Sequence, residues 1–171
     1  MSWDDAKAFC QWLTKKEWNE GKLRASQGYR LPTDVEWSLV VGLPKESGAT
    51  PPDKDSRIKG VYPWGNQWPP PKGAGNYNPE LAVDSFEKTA PVGSFAANRY
   101  GLHDLGGNVW EWCEDFYQSQ QGTRVTRGGA WFNFGPDYFL SSFRGGIHPA
   151  QREGLGGFRC VVGSAGGAPA R

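Results

Sequence analysis

Cysteine and histidine are scarce in this chain of 171 residues, which has three of the first (Cys10, Cys113, Cys160) and two of the second (His103, His148). Three thiols cannot all pair with one another, and their scatter excludes the disulfide framework of a small secreted domain. They read as buried free thiols. An excess of charge is also missing. The 19 Lys and Arg against 18 Asp and Glu leave a net +1, and the basic residues form no run. Nucleic acid and an anionic membrane are therefore not the expected partners. No apolar run is long enough to cross a bilayer, and no secretory leader is visible. The segment SWDDAKAFCQWL opens directly on a helix, without a preceding strand. This is read as a domain taken from a longer protein, so the missing leader says little about location.

What the chain does have is 24 Gly, 13 Pro and 9 Trp. Gly and Pro punctuate short elements and long ordered loops, and indoles can prop such loops. Residues 3–18 read as a helix capped by Ser2 or Asp4, with Ala6, Phe9, Cys10, Trp12 and Leu13 at helical spacing. Arg30-Leu31-Pro32-Thr33 is extended, because the residue before proline avoids the α region. Thr33 to Glu36 is a capping box that starts a second helix, Asp34 to Val41. Residues 42–60 read as a surface loop. From Tyr62 to Ala97 nothing is periodic, and a stretch this long needs something other than a backbone ladder to hold it. Strand-like pieces follow at Val109–Cys113, Arg124–Arg127, Ala130–Phe132 and Gly157–Val162, and 163–171 reads as a flexible tail. The fold class is α+β: two early helices, then a small twisted antiparallel sheet under a large loop layer.

Calcium takes six to eight hard oxygens from carboxylates and backbone carbonyls on irregular backbone. Two stretches offer them. In the first, Asn76 and Asp84 supply side-chain oxygens and Tyr77 and Phe86 supply carbonyls. In the second, Asp104 and Glu111 are the side-chain candidates, and Gly107 and Val109 can turn carbonyls inward. The alternative for Asp104 and Glu111 is capping of turns and pairing with nearby Arg.

Seven motifs occur in order: Arg30-Leu-Pro-Thr-Asp-Val-Glu-Trp37, Tyr62-Pro-Trp-Gly-Asn66, Ala90-Pro-Val-Gly-Ser94, Asn98-Arg-Tyr-Gly-Leu102, Gly106-Gly-Asn-Val-Trp-Glu-Trp112, Arg127-Gly-Gly-Ala-Trp131 and Gly157-Phe-Arg-Cys160. Together they resemble the sulfatase-modifying-factor, or formylglycine-generating-enzyme, family over about residues 2–162. The resemblance implies a C-type-lectin-like fold and two calcium ions, one on Asn76, Tyr77, Asp84 and Phe86, the other on Asp104, Gly107, Val109 and Glu111. It also implies that the family's opening strands would lie before Met1.

The family's enzymes oxidise a substrate cysteine with molecular oxygen, holding copper(I) on two cysteines just after a Gly-Gly-Ser motif. Soft thiolates are the ligands copper(I) requires. Here that stretch, residues 128–138, has no cysteine. Asn133 and Tyr138 fall near the two cysteine positions, and Ala130 replaces the serine. No copper and no catalytic residue is expected. A related branch uses a histidine-ligated iron and a further helical domain, for which His103 and His148 give no basis. An enzyme that oxidises a thiol with oxygen is kept as the alternative.

Residues 131–155 instead mix aromatics with Gly, Asn and Asp, the composition of a recognition surface. This layout resembles the variable proteins of diversity-generating retroelements, which implies a prokaryotic or phage origin and a protein or other macromolecular ligand. Phe132, Phe134, Tyr138, Phe139 and Phe143 are the candidate anchors. Asn133, Asp137 and His148 are polar contacts, with Trp131, Ile147, Gln151 and Leu155 completing the surface.

Overall fold

The structure is a computed structural model that describes residues 1–152 and 154–164. Helix α1 runs Trp3–Asn19, and its start is set by Ser2, which forms a capping box with Asp5. Its buried face is Ala6, Cys10 and Thr14. The Thr14 hydroxyl donates to the Cys10 carbonyl at 2.8 Å and accepts from Tyr29 N at 2.7 Å. That bond ties α1 to strand β1 (Gln27–Arg30), which the sequence reading missed. Helix α2 is Asp34–Val41, with Thr33 and Glu36 forming the expected box and Gly42 closing the other end. The 42–60 loop carries one further short helix, α3, Pro51–Lys54.

Strands β2 (Trp110–Gln118), β3 (Thr123–Arg127), β4 (Gly145–Ile147), β5 (Gly156–Gly157) and β6 (Val161–Ser164) follow. They form a four-stranded sheet in the order β4-β3-β2-β5 and a separate pair, β1-β6. The strand expected at Gly157–Val162 is therefore two short strands in different sheets, and β6 takes in Gly163 and Ser164; the remaining tail residues lie outside the described ones. The strand expected at Ala130–Phe132 is a turn. Asn133 N donates to the Ala130 carbonyl at 2.9 Å, and the Asn133 side chain accepts from Ala130 N at 2.8 Å. These local bonds take the place of a ladder.

Three buried clusters make the core. One joins Ala6, Cys10, Leu31 and Trp112, with the Cys10 and Cys160 sulfurs 3.4 Å apart. A second joins Trp37, Leu105, Cys113 and Val125. The third is the aromatic cluster of Tyr62, Tyr77, Val83, Phe139 and Leu140. It holds the irregular 62–97 region, whose only regular element among the described residues is a 3-10 turn at Pro79–Leu81. Between the layers, buried Asp34 pairs with Arg127 and with Arg144, and Arg144 also pairs with Glu46 at 2.7 Å. Charges this deep persist because each has its counter-charge and hydrogen bonds. No helix among the described residues is long and apolar enough to cross a membrane.

Candidate functional site

Of the first candidate calcium set, Tyr77, Asp84 and Phe86 are held together by hydrogen bonds. Asp84 accepts from Tyr77 N at 2.9 Å and from Phe86 N at 2.9 Å, so one carboxylate gathers the backbone of both carbonyl candidates. Asn76 is fully buried. Its amide nitrogen donates to the Lys88 carbonyl at 2.7 Å and to Asn108 Oδ1 at 3.2 Å, while its own Oδ1 has no hydrogen-bond partner among the described residues. A buried oxygen without a donor is costly. That oxygen, and the Asp84 carboxylate, which has no ion pair among the described residues, are the kind of donor a hard cation takes. Burial raises the pKa of the neighbouring Tyr77 hydroxyl, with Asp84 and Asp104 adding to the effect, so it stays protonated.

The second set is arranged differently. Asp104 takes a left-handed φ of 58° and accepts from Gly93 N at 2.7 Å. Gly107 sits at φ 80°, and a Cβ there would lie 2.2 Å from the Asn76 carbonyl oxygen, so only glycine is accommodated. Glu111, however, accepts from Trp37 Nε1 at 2.9 Å and from Arg159 Nε at 2.7 Å, and Arg159 Nη2 takes its other oxygen. Burial alone would lower the Arg159 pKa, but Glu111 outweighs it and the net shift is upward. Both Glu111 oxygens are already engaged by a side-chain cation, so this set fits a metal less well than the first.

The expected recognition segment divides into exposed and buried parts. Phe132, Phe134 and Tyr138 are 60%, 56% and 45% exposed. Trp131 is half-buried and meets Phe132 edge-on at 5.7 Å. Asp137 is exposed beside Lys59, and His148 and Gln151 are exposed. Phe139, expected as an anchor, is 1% exposed and belongs to the core. Its ring meets Tyr77 edge-on at 5.0 Å and lies against Gly129, where any Cβ would come within 2.6 Å of it. Phe143 is half-buried between Trp110, at 5.5 Å, and Tyr138, at 5.7 Å. Ile147 packs on the cluster around Trp112, and the Leu155 carbonyl accepts from Trp110 N at 2.7 Å.

The residue that sequence reasoning missed is Asn108. At φ 61°, its Oδ1 accepts from Ala90 N at 3.0 Å as well as from Asn76. Its main-chain oxygen accepts from Trp131 N at 3.0 Å. It therefore joins the first calcium set to the foot of the aromatic turn. Asn78 adds a second tie, its amide donating to the Phe132 carbonyl at 3.0 Å. An Asn after two Gly is the available signal, because Asn tolerates the left-handed region and bonds backbone locally.

Residues 1–164 match the sulfatase-modifying factor enzyme 1-like domain. The chain is 34% identical over 182 aligned positions to the inactive C-alpha-formylglycine-generating enzyme 2 of Bos taurus, covering 96% of this chain and 49% of that protein. It is 32% identical to the formylglycine-generating enzyme of Thermomonospora curvata, covering 70% of this chain and 33% of that protein. Among solved structures, Treponema denticola variable protein 1 superimposes with a TM-score of 0.69 at 25% identity, covering 95% of this chain and 69% of that one. The chain thus spans about half or less of the length of these curated relatives. The ordered motifs, the α+β fold and these matches agree: this chain belongs to the sulfatase-modifying factor enzyme 1-like domain family.

Proposed function

We propose that this chain is a non-catalytic ligand-binding domain whose recognition surface is the turn around residues 131–143, held rigid by a calcium-stabilised loop layer. The observation that carries this is the exposure of Phe132, Phe134 and Tyr138 on a short turn pinned by Asn78, Asn108 and Asn133. Large rings displayed together on a preorganised backbone are characteristic of partner surfaces, because little ordering entropy is lost on binding. Residues 128–138 contain no cysteine, so the thiolates that the family's copper chemistry requires are missing from this stretch. The likeness to a relative named as inactive and to a variable protein supports the same reading. Asn76, Tyr77, Asp84 and Phe86 would hold one calcium ion, which would cross-link the loop segment that Asn108 and Asn78 join to the turn.

A library randomised at positions 132, 134, 137 and 138 tests the reading. It should yield binders to an immobilised test protein such as lysozyme, with melting temperatures close to the parent's. General loss of folding among library members would show the positions to be structural. In the gene's neighbourhood, a near-copy of codons 130–160 differing at adenines, beside a reverse transcriptase, should accompany a diversified surface. Oxygen consumption with cysteine-bearing peptides and copper(I) would overturn the non-catalytic assignment.

A further inference from the structure

Cys10 and Cys160 stand 150 residues apart in sequence, yet their sulfurs are 3.4 Å from each other. Both are free thiols. Cys10 lies on the buried face of α1, and Cys160 directly precedes β6. Both pack in the cluster of Ala6, Leu31 and Trp112. Regular structure holds the two in register. One turn beyond Cys10, Thr14 accepts from Tyr29 N of β1 at 2.7 Å, and Tyr29 pairs with Val162 of β6, two residues beyond Cys160. Helix and sheet therefore present the sulfurs to each other. The third cysteine, Cys113, belongs to a different cluster, where burial pushes its thiol pKa well up. A thiol kept from ionising is a poor nucleophile.

We propose that Cys10 and Cys160 form a disulfide under oxidising conditions, a covalent clasp that joins α1 to the β1-β6 sheet and opens on reduction. Bonded sulfurs lie about 2.0 Å apart, and side-chain rotation can close the remaining gap. The oxidant is a small disulfide such as oxidised glutathione, acting as the chain folds and before the cluster encloses Cys10. One cysteine thiolate attacks an oxidant sulfur and expels a glutathione thiolate. The other then attacks the mixed disulfide and expels the second. The protein gives up two protons and two electrons, and the oxidant leaves as two thiols. The clasp acts where the fold needs it. A two-stranded sheet is marginal by itself, and β1-β6 leans on α1. A bond between residues 10 and 160 also closes a loop of most of the chain, and long loops are where a cross-link restricts the unfolded state most.

Refolding the reduced full chain in a glutathione redox buffer tests the proposal. Intact mass should fall by two hydrogen atoms. Non-reducing peptide mapping should recover one linked peptide joining Cys10 to Cys160, with Cys113 still a thiol. The oxidised protein should melt about 5–15 °C above the reduced one, and amides of β1 and β6 should exchange more slowly in it. Dithiothreitol should reverse all of these changes. Cys113→Ser should behave as the parent. Cys10→Ser and Cys160→Ser should show no linked peptide and no difference between oxidised and reduced samples. Each variant is compared with itself in the two buffers, so a packing defect cancels. The proposal is overturned if the refolded parent keeps three free thiols, carries only glutathione adducts, or links Cys113. It is equally overturned if the Cys10–Cys160 form melts no higher than the reduced chain, or if dithiothreitol leaves the bond in place.

Discussion

Asn76 and Asn108, 32 residues apart, are bonded twice: Asn76 Nδ2 donates to Asn108 Oδ1 at 3.2 Å, and Asn108 N donates to the Asn76 carbonyl at 2.8 Å. This pair joins the loop of the first calcium set to the turn of exposed rings. Asn108→Ala is expected to cost about 2–4 kcal/mol, because it strands buried polar groups and keeps a left-handed residue. Asn108→Gly should be milder by about 1 kcal/mol, since it relieves the backbone while losing the same side-chain bonds. Urea denaturation of the two variants checks both. Equal stability of Asn108→Ala and the parent would rule out the linking role.

Calcium should raise the unfolding free energy by about 2.7 kcal/mol at a hundredfold excess over its Kd. Asp84→Asn should remove that increment, because Asp84 holds both Tyr77 N and Phe86 N. Glu111→Gln should instead lose roughly 3–5 kcal/mol by stranding Arg159 while keeping the calcium increment. Calorimetry with calcium and with chelator distinguishes them. An increment lost in Glu111→Gln but kept in Asp84→Asn would reverse the assignment.

Neighbouring aromatics should respond in opposite ways. Phe139→Ala removes a ring packed between Tyr77 and Trp68 and is expected to cost about 3–5 kcal/mol. Phe132→Ala and Phe134→Ala, at exposed positions, should change stability by no more than about 0.5 kcal/mol. Thermal melts of the three single variants make the comparison, and a large loss at Phe132 would place that ring in the core.

Acid should weaken the start of α2. The Arg30 side chain holds the Glu36 pKa at about 2, against an ordinary 4.5. A carboxylate depressed in the folded state adds stability above its unfolded pKa and loses it as pH falls from about 4.5 toward 2. Because Glu36 is partly exposed, the pair contributes about 1 kcal/mol after solvent screening. Glu36→Gln should be less stable than the parent at pH 7 and nearly equal to it near pH 2, as read from denaturation midpoints. A gap of the same size at both pH values would exclude this linkage.

The sequence by itself determined what depends on near neighbours. The capping boxes of α1 and α2 involve residues three apart, so both helices are legible, as is the aperiodic character of 62–97. The ordered motifs carried the family, and oxygen-rich loops pointed to the metal candidates. Tertiary structure alone decided the rest. Phe132, Phe134 and Phe139 stand within eight residues in one chemical context, yet Gly129 and Tyr77 draw only Phe139 inside. Glu111 reads as a free ligand until β5 and the segment after it place Arg159 against it. Whether a side chain meets solvent, a counter-charge or an orphaned partner is settled by residues distant in sequence, and no local pattern encodes them.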